Sequence, residues 1–161
     1  MNDEHAANPE KAPPSRFWRG FWLTFLVVSL AYAWYSFYAP PNEIDWADGL
    51  ATAQQRAVES DKPMILFVTG AWCSPCRIMK REVWADDQVT ERVNAEFVPV
   101  AIDVDGPDAP ATASRYGALR TPSTIITDSE GTVLHHQSGR LSKAAFLGLL
   151  DASLEGDASA Q

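Results

Sequence analysis

"GAWCSPCRIMK", residues 70–80, carries both cysteines of a 161-residue chain. The run before it, "MILFVTG" (64–70), is continuously apolar and suits a strand buried on both faces. The run after it, "RIMKREVW" (77–84), reads as helix, so the cysteines sit where a strand hands over to a helix. Pro75 fits the first turn of that helix, where a missing N–H costs nothing. Cys73 then lies at the helix N-terminus, near unpaired backbone donors and the positive end of the dipole. Such a position stabilises a thiolate and can bring a thiol pKa from about 8.5 towards neutrality or below. The thiolate is the form that attacks a disulfide, so Cys73 is expected to be the exposed nucleophile. Cys76, three residues on, lies one turn deeper on the same face. From there it can resolve a mixed disulfide and leave a Cys73–Cys76 bridge.

Two other uses of a CxxC pair fit less well. A zinc site needs about four ligands. Beyond the cysteines the chain offers His135 and His136, neighbours on a strand that point to opposite faces, and His5, which precedes a long apolar segment. A structural disulfide closing so short a loop gives the fold little entropic stabilisation. Redox chemistry remains. Trp72 offers an apolar surface to substrates or is ordinary packing, and Arg77 adds a positive charge near the pair or is a solvated helix residue.

Around this centre, helix and strand patterns alternate. "DWADGLATAQQRAVESDKP" carries Leu50, Ala53, Ala57 and Val58 at helical spacing and closes at Lys62-Pro63. Asp86 or Asp87 can cap "DQVTERVNAEF". "FVPVAIDVD" reads as a buried strand, "DAPATASRYG" as a helix stopped by Gly117, and "PSTIITD" and "TVLHHQSG" as strands joined by the turn "SEG". Ser142 caps a closing helix, "SKAAFLGLLDASL". The order α β α α β α β β α predicts an α/β domain, with a central mixed sheet flanked by helices on both faces.

Ahead of this domain, Phe21 to Ala39 is 19 residues without a charge. A hydrocarbon core of roughly 30 Å needs about 20 apolar helical residues. Trp18, Trp22, Trp34, Tyr35 and Tyr38 cluster towards the ends of the segment, where amphipathic rings favour the headgroup zone. Lys11, Arg16 and Arg19 precede it, while Glu43, Asp45 and Asp48 follow. Cations stay on the cytoplasmic side, so a single-pass anchor with a cytoplasmic N-terminus and an exported domain is expected. A cleaved signal peptide, with Ala31-Tyr32-Ala33 as its cleavage site, is the competing reading and places the domain on the same side. The expected organisation is a disordered tail (1–16), a transmembrane signal-anchor (17–39), a linker (40–47), the α/β domain (48–155) and a disordered end (156–161). The net charge of −8 argues against sequence-independent nucleic-acid binding, which needs a basic surface.

The chain resembles the thioredoxin-like family in "MILFVTGAWCSPC", "VPVAIDVD" and "RYGALRTPSTIITDSEGTVLHHQSGRLSKAAFLGLL", in the family's order from about Ile44 to Leu154. "KREVWADDQVTERV" looks like the subgroup of exported members that includes the C-terminal domain of bacterial transmembrane disulfide reductases. The resemblance implies a thioredoxin-like fold with Cys73 attacking and Cys76 resolving. It also implies a cis peptide at Thr121-Pro122, in a loop that faces the cysteines and binds substrate backbone. Ser74-Pro75 stands where cytosolic members have Gly-Pro, and modulates the pair. Phe67 stands where the family commonly buries an acid that helps deprotonate the second cysteine, and Ala101 where a lysine often pairs with it. Asp103 and Glu82 are candidate substitutes.

The expected function is a membrane-tethered thiol–disulfide oxidoreductase of the envelope. It would reduce disulfides of exported proteins with electrons from a membrane thiol-exchange partner, and would need no cofactor beyond the Cys73–Cys76 pair. An oxidase or isomerase on the same scaffold, or a copper-handling assembly chaperone holding Cu(I) between the two thiolates, are the alternatives.

Overall fold

The computed structural model describes residues 16–38, 40–117 and 120–160. The expected tail up to Ser15, the last anchor residue Ala39, and Ala118 and Leu119 of the loop before Pro122 lie outside the described residues. The chain divides after Tyr38 into two compact units.

The first unit is helix α1, Arg16–Phe37. Its 22 residues at 1.5 Å each extend about 33 Å, and it is long and apolar enough to cross a membrane. None of its side chains is buried. Aromatic rings gather at both ends, Trp18 stacking on Trp22 and Trp34 on Tyr38.

The second unit contains α2 (Leu50–Ser60), β1 (Met64–Thr69), α3 (Ser74–Glu82), α4 (Asp87–Glu96), β2 (Val98–Asp103), α5 (Ala109–Tyr116), β3 (Ser123–Thr127), β4 (Val133–Ser138) and α6 (Lys143–Ala160). The sheet order is β2-β1-β3-β4, with β1 and β2 parallel and β3 antiparallel to both β1 and β4. This is the expected mixed sheet.

Its apolar run makes β1 a central strand, because both faces of it must be covered. Ile65 and Phe67 face one core with Met79, Val89, Val93, Phe146 and Leu150, from α3, α4 and α6. Met64, Leu66 and Val68 face the other with Leu50, Ala53, Ala57 and Tyr116, from α2 and α5. Val58, also placed on the α2 stripe by its spacing, is turned to solvent instead. Turn chemistry joins β3 to β4. The Asp128 carboxylate accepts from the Glu130 and Thr132 N–H groups, and Gly131 takes φ 90°.

Two boundaries differ from the sequence reading. Residues assigned to the linker are part of the folded unit: Ile44 and Ala47 are buried, and the Ala47 N–H donates to Pro99 O at 2.8 Å, an isolated parallel bridge on the edge of β2. At the other end α6 continues to Ala160, where a disordered end is expected from residue 156. Gly156 is a poor helix former, but Asp157, Ala158, Ser159 and Ala160 after it interrupt a helix far less.

Asp86 caps α4, accepting from the Gln88 and Val89 N–H groups at 3.1 and 3.3 Å. It also accepts from Lys143 Nζ at 2.8 Å, tying the start of α4 to the start of α6. The Lys143 bond, helped by the capped N–H groups, holds the Asp86 carboxyl below its ordinary value against the opposing effect of burial. Asp86→Ala is predicted to lower stability by about 1–2 kcal/mol. Because the folded value is the depressed one, this contribution is complete above the ordinary carboxylate value near 3.8 and is lost as pH falls through the folded value. Unfolding curves of the two proteins should therefore differ at pH 7 and converge in strong acid. A gap unchanged by acid would contradict the assignment.

Candidate active site

Strand β1 ends at Thr69, and the chain turns through Gly70, Ala71 and Trp72 into α3. Cys73 is the N-cap of that helix, with Pro75 in its first turn. The Cys73 N–H donates to Gly70 O at 3.1 Å, closing the turn. Cys73 and Cys76 form a disulfide with a Cα–Cα separation of 5.3 Å. The Cys76 N–H donates to Cys73 Sγ at 3.2 Å, so one of the orphan donors of the helix start is aimed at this sulfur.

Cys73 does not stand exposed as the sequence reading expects. It is 2% exposed and Cys76 1%, and both belong to the core that contains Phe67, Met79 and Trp84. As an N-cap, Cys73 folds its side chain back over the first turn, where the bond to Cys76 keeps it.

The expected loop lies at the same end of the sheet. Val68 pairs with Ser123, so Pro122 falls opposite Thr69, next to the turn that carries the cysteines. Thr121-Pro122 is a cis peptide, as the resemblance implies. Pro122 is buried and Thr121 half-buried. Three bonds fix this loop: Gly139 N–H to Pro122 O at 2.8 Å, Ser123 Oγ to Arg120 O at 2.8 Å, and Ser123 Oγ with Ser138 Oγ at 3.2 Å.

Arg77 braces the turn. Its Nη1 donates to Ala71 O and its Nη2 to Ser74 Oγ, each at 3.0 Å, which sets a cation beside the Cys73 turn and gives Ser74 a role. Trp72 is 65% exposed and held in place from two sides. Its indole N–H donates to Asp105 Oδ2 at 3.0 Å, and its ring lies so close over Gly70 that a Cβ there would meet it at 3.4 Å. Trp72 is thus a fixed apolar platform beside the disulfide rather than a cover over it. Asp105 went unassigned in the sequence. Its signal was the acidic run "DVDGPD" at the end of β2, the strand parallel to β1, which must emerge at the same pole as the cysteines.

No acid is buried at Phe67. The ring is fully buried, 5.1 Å from Trp84 and 6.4 Å from Trp46, and Trp84 in turn packs on Phe146 at 4.8 Å. Neither candidate substitute takes the vacant role. Glu82 is an exposed partner of Arg140 at 3.1 Å, and Asp103 is exposed and accepts from the Asp105 N–H. A carboxylate at Phe67 would be enclosed by aromatic rings, and its charge would be costly there even beside the buried, unpartnered Trp84 indole N–H. His135 and His136 lie on β4 at the far edge of the sheet, two strands from β1.

Residues 50–154 match the family model of the thioredoxin-like domain. The chain belongs to the thioredoxin-like family. It is 28% identical over 95 residues to Thioredoxin M3, chloroplastic, of Oryza sativa subsp. japonica, covering 59% of this chain and 51% of that protein. It is 27% identical over 104 residues to Thioredoxin 1 of Synechococcus elongatus, covering 65% of this chain and 92% of that one. The chain thus spans about half the length of the first relative and nearly all of the second. The solved structure of DsbH oxidoreductase superposes with a TM-score of 0.62 at 20% identity, over 73% of this chain and 88% of that one, a likeness of fold. The CxxC pair of this thioredoxin-like domain is Cys73–Cys76.

Replacing the ring that fills the acid's place tests the cluster directly. Phe67→Ala should lower the unfolding free energy by about 3–5 kcal/mol, since a large aromatic is removed from a fully enclosed site. A loss below about 1 kcal/mol in denaturant titration would show that Trp84 and Trp46 collapse into the space.

Proposed function

We propose that this protein is a membrane-tethered thiol–disulfide oxidoreductase that reduces disulfides of exported proteins. The observation that carries the reading is the placement of Cys73 Sγ at a helix N-cap, accepting the Cys76 N–H, at the pole shared with the cis Thr121-Pro122 loop. In the reduced pair the same donor stabilises a Cys73 thiolate. That thiolate attacks a substrate disulfide, and Cys76 then attacks Cys73 Sγ, releasing the reduced substrate and restoring the bridge. Trp72 supplies a flat contact, and Thr121 and Pro122 supply backbone for an extended substrate segment. Ser74 and Pro75 set the turn between the sulfurs.

Helix α1 supports the tether, by its length, its apolar surface and its aromatic ends. Arg16 and Arg19 at its start and Glu43, Asp45 and Asp48 after it support a cytoplasmic N-terminus and an exported domain on the periplasmic side of the cytoplasmic membrane. Electrons then arrive by thiol exchange from a membrane partner, whose effective concentration the tether raises. The single CxxC with Pro75 favours the reducing direction.

Two measurements test this. Cys73→Ala should abolish disulfide exchange, while Cys76→Ala should accumulate mixed disulfides with substrate proteins, visible as species sensitive to reductant on gels. Undiminished exchange by Cys73→Ala would remove the enzyme reading. The reduction potential of the pair should lie near −270 mV, the thioredoxin end of the range, and a value near −120 mV would reverse the direction of flow.

A further inference from the structure

Three threonine hydroxyls are buried with no hydrogen-bond partner among the described residues: Thr69, Thr112 and Thr124. Thr112 belongs to α5, over the face away from the cysteines. The other two converge on the Cys76 side. Thr69 is the last residue of β1, two beyond Phe67 and therefore on the same face, and is 6% exposed. Thr124 of β3 is directly opposite Phe67 and fully buried. In this register Thr69 and Thr124 are diagonal neighbours, with backbones about 7–8 Å apart and side chains closer, a separation one bridging water fits. Ser123 and Thr127, on the same strand as Thr124, both find acceptors, whereas the Trp84 indole N–H of the same core is likewise buried without a partner. An unsatisfied buried hydroxyl costs roughly 1–3 kcal/mol, and Val would fill either site without that penalty.

We infer that Thr69 and Thr124 hold a buried water that carries the proton of Cys76, in the region where Phe67 has displaced an acid. The inference rests on the thiol-exchange reading above. In the mixed disulfide, Cys73 Sγ is bonded to the substrate sulfur and Cys76 is a thiol. The Cys76 proton passes to the water held by the two hydroxyls and on to solvent. The Cys76 sulfur then bonds to Cys73 Sγ, and the Cys73–substrate bond breaks with its electron pair leaving on the substrate sulfur, which takes a proton from solvent. Cys76 and Cys73 are oxidised and the substrate disulfide is reduced. A hydroxyl accepts one hydrogen bond while donating another, so it relays a proton without storing charge. That is the property a site walled by Phe67 and Trp84 tolerates, where an ionised carboxylate would be heavily penalised. Thr69 and Thr124 are positioning residues, since they act on Cys76 through the water.

The test uses the full-length reduced protein in detergent and 5,5′-dithiobis(2-nitrobenzoic acid), followed by stopped flow. The chain has two cysteines, so the first thiolate released reports attack by Cys73 and the second reports resolution by Cys76. In the double variant Thr69→Val/Thr124→Val the first release should match wild type. The second should slow about a hundredfold at pH 7, the low end for lost acid–base assistance, and the deficit should shrink as pH rises and solvent base takes the Cys76 proton directly. Thr69→Ser/Thr124→Ser, which keeps both hydroxyls, should retain the wild-type pH profile. A second phase with unchanged rate and pH profile in the valine variant overturns the relay and leaves the exchange reading standing. Absence of the first phase in wild type defeats the exchange reading itself. Slowing of equal size at every pH, or shared by the serine variant, assigns the hydroxyls to packing and also overturns the relay.

Discussion

Strand β1 is covered on both faces, and the rest of the site depends on that burial. With Ile65 and Phe67 packed one way and Met64, Leu66 and Val68 the other, the strand has no freedom to slide. A slip of one residue would turn each set into the wrong core. The end of β1 is therefore fixed, and with it the turn that delivers Cys73 to the start of α3. The neighbours on either side inherit this register. β2 delivers Asp105 to hold Trp72, and β3 delivers the Thr121-Pro122 loop to the same pole. Three chain segments far apart in sequence meet because one strand cannot move.

Much of this arrangement is written locally, and therefore legible. The unbroken apolar run of β1, the Gly117 stop, the Asp86 and Ser142 caps and the polar turn before β4 each express a short-range preference that the tertiary structure respects. The strands and their order follow from such signals. The cis peptide at Pro122 does not, since most X-Pro bonds are trans, and it was reached only through the family resemblance. The burial of Cys73 was missed because helix-cap geometry says where a side chain begins and not what closes over it. Asp105 was missed for a related reason: its partner Trp72 is 33 residues away, and a strand-end carboxylate has no pattern of its own.

Phe67 shows how a site can keep its geometry while changing its electrostatics. The ring occupies a position where the family often carries charge, and the surrounding rings of Trp46, Trp84 and Phe146 make that position largely apolar, the buried Trp84 indole N–H apart. Stability and proton handling then fall to different residues. The aromatic cluster anchors α3 and α6 to the sheet, while the Cys73 sulfur accepts from a backbone amide, the Cys76 N–H. The remaining positive charge, Arg77, is bonded to the turn itself.

The residues ahead of α2 are tied into the folded unit at several points. The Asn94 side chain grips Glu43 O and the Asp45 N–H, Trp46 Nε1 donates to Asn42 Oδ1, and Ala47 bridges to the edge of β2. All of these contacts lie level with the early part of β2, whereas the cysteines follow the last residue of β1, which runs parallel to it. A pull arriving through residues 42–47 is taken up by α4 and β2, but also by the aromatic cluster, because Trp46 rests on Phe67 and Trp84. The segment ahead of α2 thus bears on the same core that encloses Cys73 and Cys76, so strain in it is felt beneath the sulfurs.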